Sequence, residues 1–112
     1  MQTIAELPEF IRRVEKLLSV KERQALINHL AENPKAGDLI RGTGGIRKMR
    51  WAKDGTGKSG GTRVIYYYHS DRIPLYLLTV FGKNEKANLT AAERNALAAL
   101  VKLLIEAAGV KS

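Results

Sequence analysis

The sequence predicts an α+β fold in which a helical hairpin and a C-terminal helix pack on a small antiparallel sheet. Three observations lead to this prediction. Capping-box patterns mark two helix starts, apolar residues recur at helical spacing towards both ends of the chain, and β-type runs with glycine-rich turns fill the middle. At 112 residues the chain is long enough for one modest core, so we expect a single domain over residues 1–112.

The first third of the chain predicts a short strand followed by two helices. Residues 2–6 are the candidate strand, and Pro8 suits the first position of a helix that apolar spacing extends to residue 18. The sequence SVKE at 19–22 is a capping box that opens a second helix, with Val20 on its apolar side. Asn33 precedes a proline and ends this helix. Helices joined so closely form an antiparallel hairpin.

Strands are predicted at about 45–51, 62–69 and 74–82. The last of them, PLYLLTVF, is almost continuously apolar, which is typical of a strand covered on both faces. The sequence TAAE at 90–93 is the second capping box and opens a terminal helix that Gly109 is expected to cap. We expect the helices to lie on one face of the sheet.

Positive charge is concentrated in one segment of the chain. The net charge is 0 over residues 1–40, +6 over 41–72 and +2 over 73–112. A neutral scaffold that carries one cationic element is typical of phosphate recognition. The basic excess indicates an anionic partner, which would be nucleic acid, membrane lipid or an acidic protein.

Composition argues against several other functions. No apolar run approaches the ~20 residues of a membrane span, and the N-terminus lacks a signal-peptide pattern, so we expect a cytoplasmic protein. Binding to a membrane surface would lack its usual basic amphipathic helix. The chain has no cysteine, and neither His29 nor His69 has carboxylates at ligand spacing. We therefore predict no metal site and no cofactor.

Side-chain alternation groups three cations on one face of the sheet. Lys48 and Arg50 share a face of their strand, and Arg63 shares a face with Tyr67 and His69 on the next strand. If the two strands align these faces, the close cations repel one another unless an anion lies between them, which favours phosphate. The alternative is that they are solvated charges on a half-exposed sheet.

The sequence AKDGTGKS at 52–59 nearly matches the phosphate-binding loop of NTPases. That loop requires a following helix N-terminus, whereas here two glycines and a strand follow. We therefore interpret it as a cationic hairpin tip, in which glycines let Lys53 and Lys58 approach a nucleic-acid backbone.

Three sequence blocks carry a family resemblance: GDLIRGTGGIRKMR, GKSGGTRVIYYY and LYLLTVFGKNEKANLT. Together they resemble the RelE/HigB superfamily of toxins from type II toxin–antitoxin systems, in particular its HigB-like branch. The resemblance covers residues 33–90 in motif detail. It implies a RelE-like fold and a ribosome-dependent mRNA endonuclease that uses the ribose 2′-hydroxyl and no metal. The implied partners are the ribosome, mRNA and a cognate antitoxin of the helix-turn-helix type.

The resemblance also assigns roles to residues. It implies that Arg50 and Arg63 clamp phosphate and that Lys48 is either a further clamp or the general base. Lys83 and Asn84 follow the last strand, where many members carry an arginine. The general acid is left open among His69, Lys83 and Tyr67.

Other positions are RNA-binding candidates, and one departs from the family. Thr90 lies near the position where better-characterised members place a tyrosine that stacks on or positions the substrate base. The alternative function is a non-catalytic module that binds RNA or the antitoxin and acts as a transcriptional corepressor. The further RNA-binding candidates are Arg47, Lys53, Lys58 and Tyr67.

Overall fold

The computed structural model describes residues 1–51 and 61–110, which form one five-stranded sheet and three helices. The predicted α+β class is confirmed. No helix in these residues is long and apolar enough to cross a membrane. In chain order the elements are β1 (Ile4–Glu6), α1 (Pro8–Leu17), α2 (Val20–Glu32), β2 (Asp38–Leu39), β3 (Ile46–Trp51), β4 (Thr62–Tyr67), β5 (Leu75–Gly82) and α3 (Ala91–Ala107).

The sheet is mixed, with strand order β1-β5-β4-β3-β2. Strands β2 to β5 pair antiparallel, as predicted, but β1 pairs parallel with β5. The parallel pair arises because the chain passes through the two helices and three other strands before it returns beside β1. The β4–β5 register shifts between Ile65 and Tyr66, whose partners are Thr79 and Leu77. This bulge leaves Leu78 without a partner in the ladder.

Helices cover both faces of the sheet, so the expectation of one helical face is wrong. On one face α1 and α2 place Phe10 and Leu30 in a buried cluster with Val64 of β4. On the other face α3 places Val101 in a second cluster with Ile65. Strand β5 contributes buried residues to both clusters, which confirms that it is covered on both sides. A strand that is apolar on two faces requires a helical layer on each.

Both predicted capping boxes are present. The Ser19 hydroxyl accepts from the Glu22 backbone N–H at 3.0 Å, and Thr90 accepts from Glu93 at 3.1 Å. Val20 is 86% exposed, so its predicted place on the apolar side of α2 is wrong. It occupies the first position of the helix, where its side chain does not reach the sheet, and Leu26 is buried instead.

The segment before β3 lies tightly against the sheet. The Gly37 N–H donates to the buried Tyr66 hydroxyl at 2.7 Å. A Cβ at Gly37 would lie 2.8 Å from the Lys48 carbonyl oxygen, so only glycine fits there without a backbone shift. The strand β2 that follows was not predicted, and it places Asp38 opposite Lys48 at the sheet edge.

Candidate RNA-binding and catalytic site

The register of β3 and β4 places the three predicted cations on one face. Arg50 lies opposite Arg63, and Lys48 lies opposite Ile65. Ile65 belongs to the cluster beneath α3, and paired residues point to the same face, so all three cations point to the α3 side. The predicted alignment is therefore present in the structure.

Arg50 and Arg63 meet above Gly61. A Cβ built on Gly61 would lie 3.3 Å from Arg63 Nη1 and 3.5 Å from Arg50 Nε, so the two guanidinium groups are neighbours. Arg63 Nη1 is buried and has no hydrogen-bond partner within the described ranges. A buried donor without an acceptor is costly, and two adjacent cations repel, so this position favours an anion.

A cavity of about 280 Å³ opens beside Arg63, between the sheet and α3. Its cations are Lys48, Arg63 and Arg94, and within the described part of the chain no carboxylate residue lines it. Lys48 Nζ donates to Asn88 Oδ1 at 3.4 Å, across the cavity from the sheet. The apolar part of the lining comes from Ile40, Ile65, Phe81, Ala87 and Leu89.

The turn after β5 begins beside the Arg50–Arg63 pair. The Lys83 N–H donates to the Gly61 carbonyl at 3.3 Å, and the side chains of Lys83 and Asn84 are exposed. Glu85 holds this turn because its Oε1 accepts from the Gly82 N–H at 2.9 Å. That backbone hydrogen bond, followed by the charge of Arg13, lowers the pKa of Glu85. Arg13 in turn donates to the Val80 carbonyl at 2.7 Å.

The loop before α3 is tied to the helix and to the sheet. Lys86 pairs with Glu93 and lies 4.9 Å from the centroid of the Phe81 ring. The hydrogen bond from Lys86, followed by that from the Thr90 backbone, lowers the pKa of Glu93. Thr90 is used as the cap of α3, so its side chain is not placed to act as a base-stacking group. The cavity wall on the α3 side is therefore fixed by several contacts.

Comparison with known proteins identifies the family. Residues 10–111 match the family described as the RelE toxin of the RelE/RelB toxin–antitoxin system. The chain belongs to the RelE toxin family. A solved structure of a mutant of the E. coli toxin RelE in the free state aligns with 88% of this chain and 94% of its own, at 20% sequence identity and a TM-score of 0.56. This likeness confirms the RelE-like fold.

Membership of the RelE family places the protein in a toxin–antitoxin system and implies an antitoxin partner. Positive charge in this RelE-family chain is concentrated in residues 41–72, which include Lys48, Arg50 and Arg63 on the sheet face beneath α3. Among the described residues, no group of three or more His, Asp or Glu side chains is placed to hold a metal ion.

Two predicted candidates for the general acid lie away from the cavity of this RelE-family protein. His69 follows the end of β4, six residues or roughly 20 Å of strand beyond Arg63, and its Nδ1 lies 3.0 Å from Ser70 Oγ. Tyr67 is 3% exposed, and burial raises the pKa of its hydroxyl. The structure therefore does not bring His69 or the buried ring of Tyr67 to the cavity beside Arg63, and their roles as general acid or RNA-binding residue stay predictions.

Arg47 also differs from its predicted role. It lies opposite Tyr66 on the face covered by α1 and α2, and its Nη1 donates to the Gly37 carbonyl at 2.7 Å. Because its guanidinium holds the segment before β2, it does not face the cavity. Lys53 and Lys58 lie outside the described residues.

Arg94 and Asn88 line the cavity and were missed by the sequence reasoning. A signal for Arg94 was present, because it falls at helical spacing with Leu97, Val101 and Ile105. An arginine within the apolar stripe of a helix is unusual and indicates a partner for its charge. No comparable signal marks Asn88, which lies in a polar loop.

Proposed function

We propose that this RelE-family toxin is a ribosome-dependent mRNA endonuclease that inhibits translation. The observation that carries the proposal is the meeting of Lys48, Arg50 and Arg63 on one sheet face beside a cavity without lining carboxylates among the described residues. Such a site suits the phosphate backbone of single-stranded RNA in charge and in shape.

The proposed reaction is the metal-independent one that the family resemblance implies. The ribose 2′-oxygen attacks the adjacent phosphorus, so an O2′–P bond forms and the P–O5′ bond breaks. The 2′-hydroxyl proton passes to a base, and the leaving O5′ receives a proton from an acid. The products are a 2′,3′-cyclic phosphate and a 5′-hydroxyl. Negative charge builds on the non-bridging oxygens in the transition state, where fixed cations stabilise it most.

The arrangement supports a division of roles among the cations. Arg50 and Arg63 clamp the scissile phosphate, since two adjacent guanidinium groups can each offer paired N–H donors to its oxygens. Lys48, oriented by Asn88, is a further clamp or the base for the 2′-hydroxyl. Lys83 becomes the candidate acid because its turn starts beside Gly61, whereas His69 and Tyr67 lie elsewhere.

We further propose that the cognate antitoxin, of the helix-turn-helix type, neutralises the toxin by covering this cationic face. The same face would otherwise enter the decoding site of a translating ribosome in the cytoplasm. A partner that supplies carboxylates to Arg50 and Arg63 would satisfy their charges and exclude RNA.

Substitution of Arg63 tests the proposal. Induction of the unsubstituted toxin should arrest growth and create new mRNA ends within coding regions. Arg63→Ala should lose both effects, with cleavage reduced about 10²- to 10³-fold, as for loss of one transition-state donor. It should still copurify with the antitoxin, because Lys48 and Arg50 keep the face cationic. Arg12→Ala is the matched control because Arg12 is an exposed arginine on α1 that pairs only with Glu9 among the described residues, and it should behave as the unsubstituted toxin.

Two results would contradict the proposal. Undiminished cleavage by Arg63→Ala would refute the assignment of the site. Growth arrest without new mRNA ends would instead support the non-catalytic alternative, in which the protein acts by binding RNA or as a corepressor with its antitoxin.

A further inference from the structure

We propose that Arg94 on α3 binds the RNA phosphate next to the one that Arg50 and Arg63 hold. This inference rests on the proposed function because it takes RNA as the ligand. It adds a substrate-binding residue on the helix that faces the sheet cations across the cavity.

The position of Arg94 on its helix requires an explanation. It shares the α3 stripe with Val101 and Ile105, which are 3% and 7% exposed in the cluster against the sheet. Arg94 itself is partly buried, and its guanidinium has neither an ion pair nor a hydrogen bond with any of the described residues. Arginine is almost never fully buried unless its charge is matched, and here the partly buried guanidinium lines a cavity with two further cations, where an anion would match all three.

The adjacent carboxylate does not match this charge. Glu93 precedes Arg94 in sequence, but its carboxylate accepts from Lys86 and from the Thr90 N–H at 2.8 Å. Successive residues on a helix are separated by about 100°, so Glu93 and Arg94 point in different directions. The guanidinium is therefore left for a ligand in the cavity.

The cavity has the composition of a phosphate site with room for one sugar. It combines the cations Lys48, Arg63 and Arg94 with the amide of Asn88, and its apolar floor includes Phe81. The volume of about 280 Å³ lies just below the ~300–1,000 Å³ typical of small-molecule pockets, which limits the occupant to about one nucleotide unit. A ribose against this floor would have the scissile phosphate at Arg63 on one side and the neighbouring phosphate at Arg94 on the other.

The helix backbone that carries Arg94 is well fixed. It lies in the first turn of α3, directly after the capping box of Thr90 and Glu93, and Lys86 joins this turn to Phe81 of β5. The rigid backbone fixes where the side chain begins, so the entropy cost of binding an anion comes from ordering the arginine side chain and not from ordering the helix.

Binding of an uncleavable RNA tests the inference. The probe is a single-stranded RNA with 2′-O-methyl riboses, titrated by fluorescence anisotropy over a range of KCl concentrations, with inorganic phosphate as competitor. Arg94→Ala should weaken binding about 10-fold, equally for different sequences, and lower the salt slope by about 1. Arg94→Lys should recover part of the affinity, because lysine keeps the positive charge but lacks the paired N–H donors of a guanidinium group. Lys102→Ala, an exposed cation further along α3, should have no effect.

Each outcome decides between phosphate binding and its alternatives. Unchanged affinity and salt slope for Arg94→Ala would overturn the inference, as would absence of RNA and phosphate binding by the unsubstituted protein. A loss that depends on base identity would show that Arg94 reads a base. Urea unfolding of the variant should match the parent, which separates lost binding from lost structure. If Arg94-dependent binding is present but the protein cuts no mRNA, the endonuclease proposal fails and the phosphate site stands.

Discussion

At the scale of single residues, Arg63 connects the features of the site. It lies opposite Arg50 in the strand pair, and its Nη1 lies close to Gly61. Its side chain lines the same cavity as Arg94. No carboxylate among the described residues pairs with either guanidinium group, so their mutual repulsion disfavours the anion-free protein. We expect a bound phosphate to remove this repulsion.

Gly61→Ala tests whether the spacing of the two arginines matters. The added methyl group would lie 3.2 Å from Arg50 Cγ and 3.3 Å from Arg63 Nη1, so both side chains must move. We expect cleavage to fall at least 10-fold, since small displacements of positioned groups cost activity. The free energy of unfolding should change by less than about 1 kcal/mol, because flexible side chains yield rather than the backbone.

A double-mutant cycle provides the control for Gly61→Ala. In an Arg50→Ala background the same methyl group meets one arginine fewer, so its effect on residual cleavage should be much smaller. Equal effects in the two backgrounds would contradict the proposed pairing above Gly61.

At the scale of elements, the segment before β2 and the turn after β5 fix the surroundings of β3, the strand that carries Lys48 and Arg50. The segment before β2 is fixed by the Gly37 N–H on the Tyr66 hydroxyl and by Arg47 on the Gly37 carbonyl. On the other side, the turn after β5 is fixed by Glu85 and Arg13. Both devices join parts of the chain that the sequence separates widely, and each can be tested by its effect on stability.

Tyr66→Phe should destabilise the protein by about 1–3 kcal/mol, because it leaves the buried Gly37 N–H without an acceptor. Tyr68→Phe is the matched control. Its hydroxyl donates to Asp71 at 3.3 Å on the exposed side of the molecule, so its loss should cost less than about 0.5 kcal/mol. Urea unfolding of the two variants measures the difference, and equal losses would show that the Gly37 contact contributes nothing.

Glu85→Gln should lower stability in a pH-dependent way. The folded protein lowers the pKa of Glu85 below its ordinary 4.5, so the ionised carboxylate stabilises the fold above pH 4.5, and this contribution disappears as the pH falls through the folded pKa. We expect a loss of about 0.5–1 kcal/mol at neutral pH, since the carboxylate is half exposed, and no loss in strong acid. Urea unfolding at both pH values measures it.

The control for this prediction is Glu15→Gln, which removes an exposed carboxylate of α1 that has no partner among the described residues. It should have no effect at either pH. A loss for Glu85→Gln that is the same at neutral and acidic pH would contradict the role given to its charge.

At the scale of the whole molecule, helical spacing, capping boxes and strand alternation predicted most helices and strands and the sheet face that carries the three cations. Alternation placed Lys48, Arg50 and Arg63 together, and the strand register bears this out. Alternation does not give distance along a strand or the extent of a covering helix. His69 and Tyr67 therefore fell into the predicted site, although one lies beyond the strand end and the other is covered by the cluster under α3.

Other parts of the fold left little or no signal in the sequence. Strand β2 has only two residues, Asp38 and Leu39, and both are exposed, so it shows neither alternation nor an apolar run. The second helical layer was indicated by the apolar run of β5 but was not inferred from it. The sequence shows Arg94 within the apolar stripe of α3, but its role depends on the cavity that this stripe borders. That cavity forms only when the helix packs on the sheet.

The most direct test of the central proposal is the chemistry of the cut end. The purified toxin would be added to translating ribosomes on a defined mRNA, and the fragments would be analysed by mass spectrometry. We predict upstream fragments that end in a 2′,3′-cyclic phosphate, no cutting when the ribose at that position is 2′-deoxy, and no cutting by Arg63→Ala. Fragments with a 3′-hydroxyl, or efficient cutting of the 2′-deoxy substrate, would contradict attack by the 2′-oxygen on a phosphate held by Arg50 and Arg63.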